Sequence, residues 1–194
     1  MKRDIILAGV GGQGILSIAA TIGMAALGSG LHLKQAEVHG MSQRGGDVSS
    51  NLRIADYEIA SDLIPFGQAD LIISVEPMES LRYLPFLAEN GWLITNTKPY
   101  INIGNYPPMD QLMTEIESFK KHIAINADDI AKELGASRSA NMVILGAATP
   151  FLEISHEKIQ DAIRQIFTRK GAEIVKLNLD AFEAGYRFAL DHIN

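Results

Sequence analysis

A short apolar strand, joined to a helix by a turn that is mostly glycine, constrains this chain most. The stretch 5–17 reads Ile-Ile-Leu-Ala-Gly-Val-Gly-Gly-Gln-Gly-Ile-Leu-Ser. Its apolar start is typical of a strand buried on both faces of a parallel sheet. Gly9, Gly11 and Gly14 have the spacing G-x-G-x-x-G, which permits a tight turn and the close approach of a ligand. The first amides of the following helix would attract an anion such as phosphate.

Two interpretations of this turn stay open. The glycines either cradle a phosphate or only let the helix pack tightly on its strand. An NAD site would also need a carboxylate at the end of the second strand, where it binds the ribose hydroxyls. Glu37 is the candidate, but the second strand, predicted at 31–38, leaves His39 nearest its tip. The dinucleotide interpretation therefore fits only in part.

Length and composition indicate one globular domain, which we predict over residues 1–194. Hydrophobic residues make up 47% of the chain and charged residues 21%, which are ordinary values for a globular protein. The net charge of -6, without a long run of cations, argues against a nucleic-acid partner. The sequence has no cysteine, which excludes disulfides, a cysteine-ligated iron–sulfur cluster and a thiol nucleophile within this chain.

No targeting or membrane segment is expected. The residues Met1 to Asp4 run straight into the first strand, and the apolar stretch 15–31 is interrupted by serines and glycines. We therefore expect neither a signal peptide nor a membrane-spanning helix. The expected location is the cytoplasm.

Alternating strands and helices predict an α/β fold, a three-layer αβα Rossmann-like domain with a mostly parallel sheet. The segments 48–54 and 57–60 are interpreted as an inserted β-hairpin. The last third is predicted to be helical. Its predicted helices span 140–152, 157–168 and 179–193. Earlier in the chain, helices are predicted at 15–27, 76–89, 109–120 and 127–134. Further strands are predicted at 69–75, 92–96 and 122–126, with an irregular loop at 100–108.

A second glycine-rich loop, which spans residues 37–46, holds the densest set of candidate functional residues. It reads Glu-Val-His-Gly-Met-Ser-Gln-Arg-Gly-Gly. Arg44 beside two glycine amides either binds a phosphate or carboxylate, or forms an ion pair that holds the loop. His39 is a candidate general base or a hydrogen-bonded structural residue. The ligand-facing candidates of both loops are Gly9, Gly11, Gly12, Gln13, Gly14, His39, Ser42, Gln43, Arg44, Gly45 and Gly46.

Other polar residues have plain structural interpretations beside functional ones. Glu76, Glu79, Asp128 and Asp129 lie near strand ends or helix starts, where helix capping is expected. Asn141 opens a predicted helix and either caps it or reaches the ligand edge of the sheet. The five histidines are scattered without metal-ligand spacing, so no metal site is predicted, and no residue is assigned a catalytic role.

Two long motifs in order resemble those of a known family. The glycine turn 9–16, followed by the loop 37–46 and a strand, is similar to the gamma-type domain of the 2-oxoacid:ferredoxin oxidoreductases. The form His-Gly-Met-x-Gln-Arg-Gly-Gly resembles the indolepyruvate branch of that family more than the subunits that act on pyruvate or 2-oxoglutarate. The stretches 141–147 and 170–185 fit as well, so the resemblance covers nearly the whole chain.

The resemblance implies a subunit of a complex whose larger subunit carries thiamine diphosphate and iron–sulfur clusters. Such a complex decarboxylates an aryl 2-oxoacid oxidatively, passes electrons to ferredoxin and delivers the acyl group to coenzyme A. This chain would hold none of the redox cofactors, since it lacks cysteine and the Gly-Asp-Gly start of a thiamine diphosphate motif. Its two glycine-rich loops would face coenzyme A, the substrate or the larger subunit.

Two competing hypotheses remain, a stand-alone dehydrogenase that binds NAD or a flavin, and a nucleotide-sensing module. The leading hypothesis also predicts an obligate partner, because surplus apolar surface generally marks an interface. That surface is expected on the helix 15–27, on the loop 100–108 and on an aromatic stripe of the last helix. The aromatic and aliphatic residues concerned are Tyr100, Ile101, Ile103, Tyr106, Phe182, Tyr186 and Phe188. We expect a homodimer of the isolated chain, and activity only with the larger subunit.

Overall fold

The computed structural model of the protein describes residues 1–40 and 45–193. The strands in these residues are β1 (Lys2–Val10), β2 (His32–His39), β3 (Asp47–Ala55), β4 (Ala69–Ser74), β5 (Leu87–Asn96) and β6 (His122–Ile125). The α-helices are α1 (Ile15–Leu27), α2 (Pro77–Arg82), α3 (Met109–Glu117), α4 (Ala127–Glu133), α5 (Ala140–Ala148), α6 (His156–Phe167) and α7 (Ala172–His192). Turns of 3-10 helix lie at Leu84–Phe86, Thr149–Phe151 and Thr168–Lys170. Within the described ranges, no helix combines the length and apolar character that a membrane crossing requires.

The six described strands form one sheet in the order β2-β3-β1-β4-β5-β6. The strands β1, β4, β5 and β6 pair in parallel, whereas β3 runs antiparallel to both of its neighbours, β1 and β2. The other strands therefore share one direction, and their carboxyl ends meet at one edge of the sheet. Because β3 separates β2 from β1, the second strand of the chain lies at the outer edge.

Helices cover both faces of the sheet because successive apolar residues of the central strands point to opposite faces. In β1, Ile5 and Leu7 pack in a large core with residues of α1, α4, α5, α6 and α7. Ile6, between them, packs in a smaller core with residues of α2 and α3. The predicted three-layer αβα architecture with a mostly parallel sheet is therefore confirmed.

The helical character of the last third is confirmed as well. Ser155 caps α6, because its hydroxyl accepts the amide of Lys158 at 3.4 Å. The last helix begins at Ala172, seven residues before the predicted start at Leu179. It starts directly after Gly171, whose φ of 98° ends the preceding 3-10 turn. The start of α7 is thus set by the backbone conformation of Gly171, which the spacing of apolar residues in the helix does not indicate.

The predicted β-hairpin is wrong in its second strand. Residues 57–60 form no strand, and β3 pairs with β2 instead. The guanidinium of Arg53 donates to the carbonyl of Ser61 at 3.0 Å, and Nζ of Lys34 donates to the carbonyl of Ala60 at 3.2 Å. These two carbonyl groups therefore accept hydrogen bonds from side chains, whereas in a strand they would accept them from the backbone amides of a neighbouring strand.

The helix predicted at 76–89 is shorter than expected, since α2 ends at Arg82. Pro85 lies in the 3-10 turn that follows, and proline lacks the amide that a continuing helix needs. The dipeptide Asn90-Gly91, predicted to end the helix, lies inside β5 instead. This part of β5 adjoins a register shift in its pairing with β4, which its own sequence pattern does not reveal.

The apolar surface is distributed differently from the prediction. Phe182 is fully buried in the large core, so this residue of the aromatic stripe packs within the chain and is not available to a partner. Tyr106 is half-buried, whereas Tyr100, Ile101 and Ile103 of the same loop are exposed, as expected. Exposed apolar residues therefore lie on this loop and on one side of α1, and also on the segment 57–66, where Tyr57, Leu63 and Phe66 are exposed.

Candidate functional site

The glycine turn between β1 and α1 is fixed by the side chain of Gln13. Its Oε1 accepts the amide of Val10 at 2.8 Å, and its Nε2 donates to the carbonyl of Val75 at 3.3 Å. Val75 follows the end of β4, the strand that neighbours β1. Gln13 therefore ties the turn to the adjacent strand, while Gly9 lies buried within β1.

Gly14 ends the turn in the left-handed region, with a φ of 82°, and no side chain caps the helix that follows. A Cβ atom at this position would lie 2.6 Å from Nδ2 of Asn141, so glycine is required for two reasons. Nδ2 of Asn141 donates to the carbonyl of Gly14 at 3.1 Å. Of the two roles that the sequence left open for Asn141, the structure shows contact with the ligand edge of the sheet.

A cleft of about 1010 Å³ opens between this turn and the C-terminal helices. Gly12, Gln13 and Gly14 line it from the first turn, and Arg138 and Lys170 supply two cations from the last third. Its apolar wall consists of Ile144, Phe167, Ile174 and Leu177. The cleft lies at the carboxyl ends of the parallel strands, which is where open α/β sheets bind ligands.

The two cations of the cleft are available to a ligand. Nζ of Lys170 lies 5.1 Å from the centre of the Phe167 ring. Among the residues that the structure describes, neither Arg138 nor Lys170 forms an ion pair. Together with the uncapped start of α1, they form a site that suits a phosphate ester.

A second set of hydrogen bonds supports the floor of the cleft. Nδ2 of Asn96 donates to Oδ2 of Asp128 at 2.7 Å and to the carbonyl of Val75 at 3.2 Å. Oδ1 of Asn96 accepts the amide of Ala127 at 3.1 Å. The carbonyl of Val75 is thus shared by Gln13 and Asn96, and this arrangement links the glycine turn to Asp128.

The second glycine-rich loop lies beside the first one. The amide of Gly11 donates to the carbonyl of Gly46 at 2.9 Å, and Asn102 donates to the carbonyl of Gly45. Neither Gly45 nor Gly46 lines the cleft. The predicted ligand residues Ser42, Gln43 and Arg44 lie outside the described residues, and their roles stay predictions.

His39 lies at the end of the edge strand β2, away from the cleft. Its side chain is 52% exposed, and its Nε2 contacts Oε1 of Glu37. Because β3 lies between β2 and β1, Glu37 is not at the tip of the strand next to the glycine turn. The carboxylate that an NAD site requires is therefore not in place.

Glu76 performs the capping role that was expected of it. Its Oε2 accepts the amide of Glu79 at the start of α2 at 2.9 Å. Its Oε1 accepts the amide of Tyr100 at 3.1 Å and also the hydroxyl of Tyr106. Burial, with Glu76 adding to the effect, raises the pKa of the Tyr106 hydroxyl. This buried carboxylate therefore fastens the base of the loop 100–106.

The residues of this chain do not fit the redox cofactors that the family resemblance implies for the complex. Iron–sulfur clusters need thiolate ligands, and the sequence has no cysteine. In the described part of the chain, no group of three His, Asp or Glu side chains could hold a metal ion. No step of chemistry on thiamine diphosphate or a cluster is therefore assigned to this chain.

The chain is similar to known proteins along nearly its whole length. Residues 4–188 match the family described as pyruvate ferredoxin/flavodoxin oxidoreductase. The chain is 38% identical to the indolepyruvate oxidoreductase subunit IorB of Archaeoglobus fulgidus, over 98% of this chain and 96% of that one. A solved gamma subunit of a keto/oxoacid ferredoxin oxidoreductase from Geobacter sulfurreducens PCA is 27% identical, with a TM-score of 0.69, over 97% of this chain and 99% of that one.

A likeness of fold extends to a larger enzyme. With a TM-score of 0.77 and 23% identity, 98% of this chain superposes on 31% of a chain of the 2-oxoglutarate:ferredoxin oxidoreductase from Magnetococcus marinus. That structure has 2-oxoglutarate, coenzyme A and succinyl-CoA bound.

The match over residues 4–188 defines the class, and the chain belongs to the pyruvate ferredoxin/flavodoxin oxidoreductase family. It is a subunit of the 2-oxoacid oxidoreductase type, similar along its whole length to IorB subunits. The predicted subunit role is confirmed, and the stand-alone dehydrogenase and the nucleotide-sensing module are not favoured.

Three charged residues of the cleft were not predicted to face a ligand. Asp128 was expected to cap a helix, Arg138 was given no role, and Lys170 appeared only as the start of the stretch 170–185 that fits the family. Each lies in or beside a short connection of the second half of the chain, far in sequence from the glycine turn. Only the order of the strands brings them to one edge.

Proposed function

We propose that this chain is the subunit without redox cofactors of an indolepyruvate-type 2-oxoacid:ferredoxin oxidoreductase. The complex converts an aryl 2-oxoacid to its acyl-CoA and passes the electrons to ferredoxin. Thiamine diphosphate and the iron–sulfur clusters, held by the larger subunit, supply the decarboxylation and the electron transfer. Similarity to IorB subunits along the whole chain supports the indolepyruvate branch.

Coenzyme A is the proposed ligand of the cleft. The observation that carries this proposal is the presence of Arg138 and Lys170, both without an ion pair in the described residues, opposite the turn 12–14. Phosphates of coenzyme A would contact these cations and the first amides of α1. The apolar wall suits the less polar parts of the same molecule. Coenzyme A bound in the Magnetococcus marinus enzyme is consistent with this choice.

The larger subunit is proposed to cover the edge of the sheet that carries both glycine-rich loops. The exposed residues Tyr100, Ile101 and Ile103 adjoin that edge through the contact of Asn102 with Gly45. Ferredoxin would meet the complex through the larger subunit. A cytoplasmic location and a single domain over 1–194 remain part of the proposal.

Variants of the two cations test the coenzyme A site in the complex assembled by co-expression with the larger subunit. Arg138→Gln and Lys170→Gln should each raise the KM for coenzyme A about tenfold, because one charge-assisted hydrogen bond is lost. The KM for the 2-oxoacid should stay unchanged. Arg169→Gln removes a neighbouring cation that does not line the cleft and serves as the control. Unchanged KM values for coenzyme A in both cleft variants would show that the cleft has another role.

The substrate is tested with the same complex. Indolepyruvate and phenylpyruvate should give the highest kcat/KM for ferredoxin reduction, with branched-chain 2-oxoacids well below them. This chain alone should show no activity. A preference for branched-chain 2-oxoacids would contradict the assignment to the indolepyruvate branch.

A further inference from the structure

Asp128 is a carboxylate in a cleft whose other charged side chains attract anions. Of the described residues that line the cleft, it is the single acidic one, beside Arg138 and Lys170. A carboxylate repels a bare phosphate and can accept hydrogen bonds but not donate them when ionised. Its presence in a phosphate site therefore favours a ligand that also carries a hydrogen-bond donor.

A capping role does not account for Asp128. The cap of α4 is Asn126, whose Oδ1 accepts the amide of Asp129 at 3.1 Å. Nδ2 of Asn126 also donates to Oδ2 of Asp129 at 2.7 Å. The neighbouring carboxylate thus serves the start of the helix, while Asp128 lines the cleft.

Asn96 holds Asp128 in one orientation. Asn96 is 3% exposed, and its Nδ2 is 2.7 Å from Oδ2 of Asp128. The same amide group donates to the carbonyl of Val75, which also accepts from Gln13 at 3.3 Å. No more than three hydrogen bonds therefore separate Asp128 from the glycine turn. Both line the same cleft.

We propose that Asp128 determines the ligand specificity of the cleft by accepting a hydrogen bond from a donor group of the bound phosphate ester. The donor is a ribose hydroxyl, an amino group or an amide N–H that lies close to the phosphates. The carboxylate then favours a nucleotide-like ester over pyrophosphate, which presents chiefly negative oxygens. This inference rests on the proposed function in one respect, that the cleft binds the phosphates of an ester such as coenzyme A at the glycine turn.

Calorimetric titration of the assembled complex separates this role from a structural one. Asp128→Ala should weaken the binding of coenzyme A about tenfold, because a hydrogen bond to a charged acceptor is lost. The same variant should strengthen the binding of pyrophosphate, because a nearby negative charge is removed. A merely structural role for Asp128 would shift both affinities in the same direction.

Two further variants complete the experiment. Asp129→Ala, which removes the neighbouring carboxylate outside the cleft, is the control and should leave both affinities unchanged. Asp128→Asn removes the charge with little change of shape, and it should also strengthen the binding of pyrophosphate. If Asp128→Ala does not assemble with the larger subunit, Asp128→Asn is tested in its place. An unchanged or weaker affinity of Asp128→Asn for pyrophosphate would then overturn the role of Asp128.

The outcomes distinguish this inference from the proposed function. Parallel changes of both affinities in Asp128→Ala, or no change in either, would overturn the role of Asp128. Failure of coenzyme A to bind the complex with the natural sequence would overturn the proposed ligand instead. In that case ADP, which also carries ribose hydroxyls beside its phosphates, takes the place of coenzyme A in the titrations. Asp128→Ala should then bind ADP more weakly and pyrophosphate more strongly than the natural chain does.

Discussion

Glu79 is a carboxyl group that the fold places out of reach of water. Its side chain is 3% exposed, and Nε of Arg82 donates to it at 2.7 Å. Burial raises the pKa of Glu79 above its ordinary value of 4.5, and Asp47 adds to the shift while Arg82 opposes it. The ionised form is therefore less favourable in the folded chain than in the unfolded chain.

This raised pKa predicts a pH dependence of stability. The contribution of Glu79 is fully present below its unfolded pKa and is lost as the pH rises through the folded pKa. In Glu79→Gln this loss is absent, so the free energy of unfolding of the variant relative to the natural chain should increase with pH across that window. Denaturant titrations at a series of pH values measure the difference.

The exposed Glu133 offers a control for this prediction. Glu133→Gln removes one carboxylate without removing a buried group, so it accounts for the change in net charge alone. A difference between Glu79→Gln and the natural chain that stays constant with pH would refute the prediction.

At the scale of residues, the sequence predicted where the first glycine turn lies but not what its residues contact. Gln13 was predicted as part of the first glycine turn, yet its partner Val75 lies 62 residues further along the chain. Asn141 contacts Gly14 across 127 residues. Such pairs depend on the order of the strands, which local sequence patterns do not contain.

The helices α5 and α7 cross in close contact, with a glycine of each helix against the backbone of the other. A Cβ atom on Gly185 would lie 1.9 Å from the carbonyl oxygen of Val143, and one on Gly146 would lie 2.0 Å from that of Phe182. Backbone atoms occupy both positions, so no side-chain movement could relieve the overlap. The two helices can approach this closely only because each presents a glycine.

Gly185→Ala is therefore expected to destabilise the protein by about 3 kcal/mol or more, since overpacking forces backbone shifts. The midpoint of thermal or denaturant unfolding measures the effect. Lys176→Ala, on the exposed part of the same helix, should change stability by less than about 1 kcal/mol, because it removes only an exposed ion pair with Asp180. Equal stability of Gly185→Ala and the natural chain would show that the helices can separate without cost.

At the scale of elements, the bounds of a helix were predicted correctly where glycines mark both of its ends. The helix α1 has the predicted bounds, 15–27, because glycines precede and follow a continuous apolar run. The stretch 48–54 was recognised as a strand, but alternation alone does not tell which neighbour a strand pairs with. The hairpin partner was therefore assigned to the following segment, although the preceding strand, β2, takes that place.

One side of α1 leaves apolar surface uncovered at the outer edge of the sheet. Leu16 is 47% exposed, Met24 37% and Leu27 60%, and the helix carries no charged residue. Gly23 of the same helix faces Leu33 of β2, so this side of the helix lies next to the edge strand. An edge strand of eight residues beside an apolar helix face is a natural surface for association.

We therefore expect the isolated chain to form a homodimer through β2 and the exposed side of α1, since a two-fold axis would pair both copies and close the edge. Leu27→Glu should shift the chain to monomers in gel filtration with light scattering. Leu134→Glu, at the exposed leucine that follows the end of α4, should leave the dimer intact. A natural chain that is monomeric at every concentration tested would rule out this homodimer.

The side chains that fasten the glycine turn have a consequence for the energetics of binding. Gln13 and Asn141 fix the backbone of the turn through contacts within the chain itself, so its conformational entropy is lost during folding and not when a ligand arrives. The phosphate ester proposed for the cleft would meet donors already aligned, and more of its interaction free energy would be retained as affinity. Loosening either side chain would then weaken binding through the backbone of the turn, in addition to any direct contact that the side chain makes in the cleft.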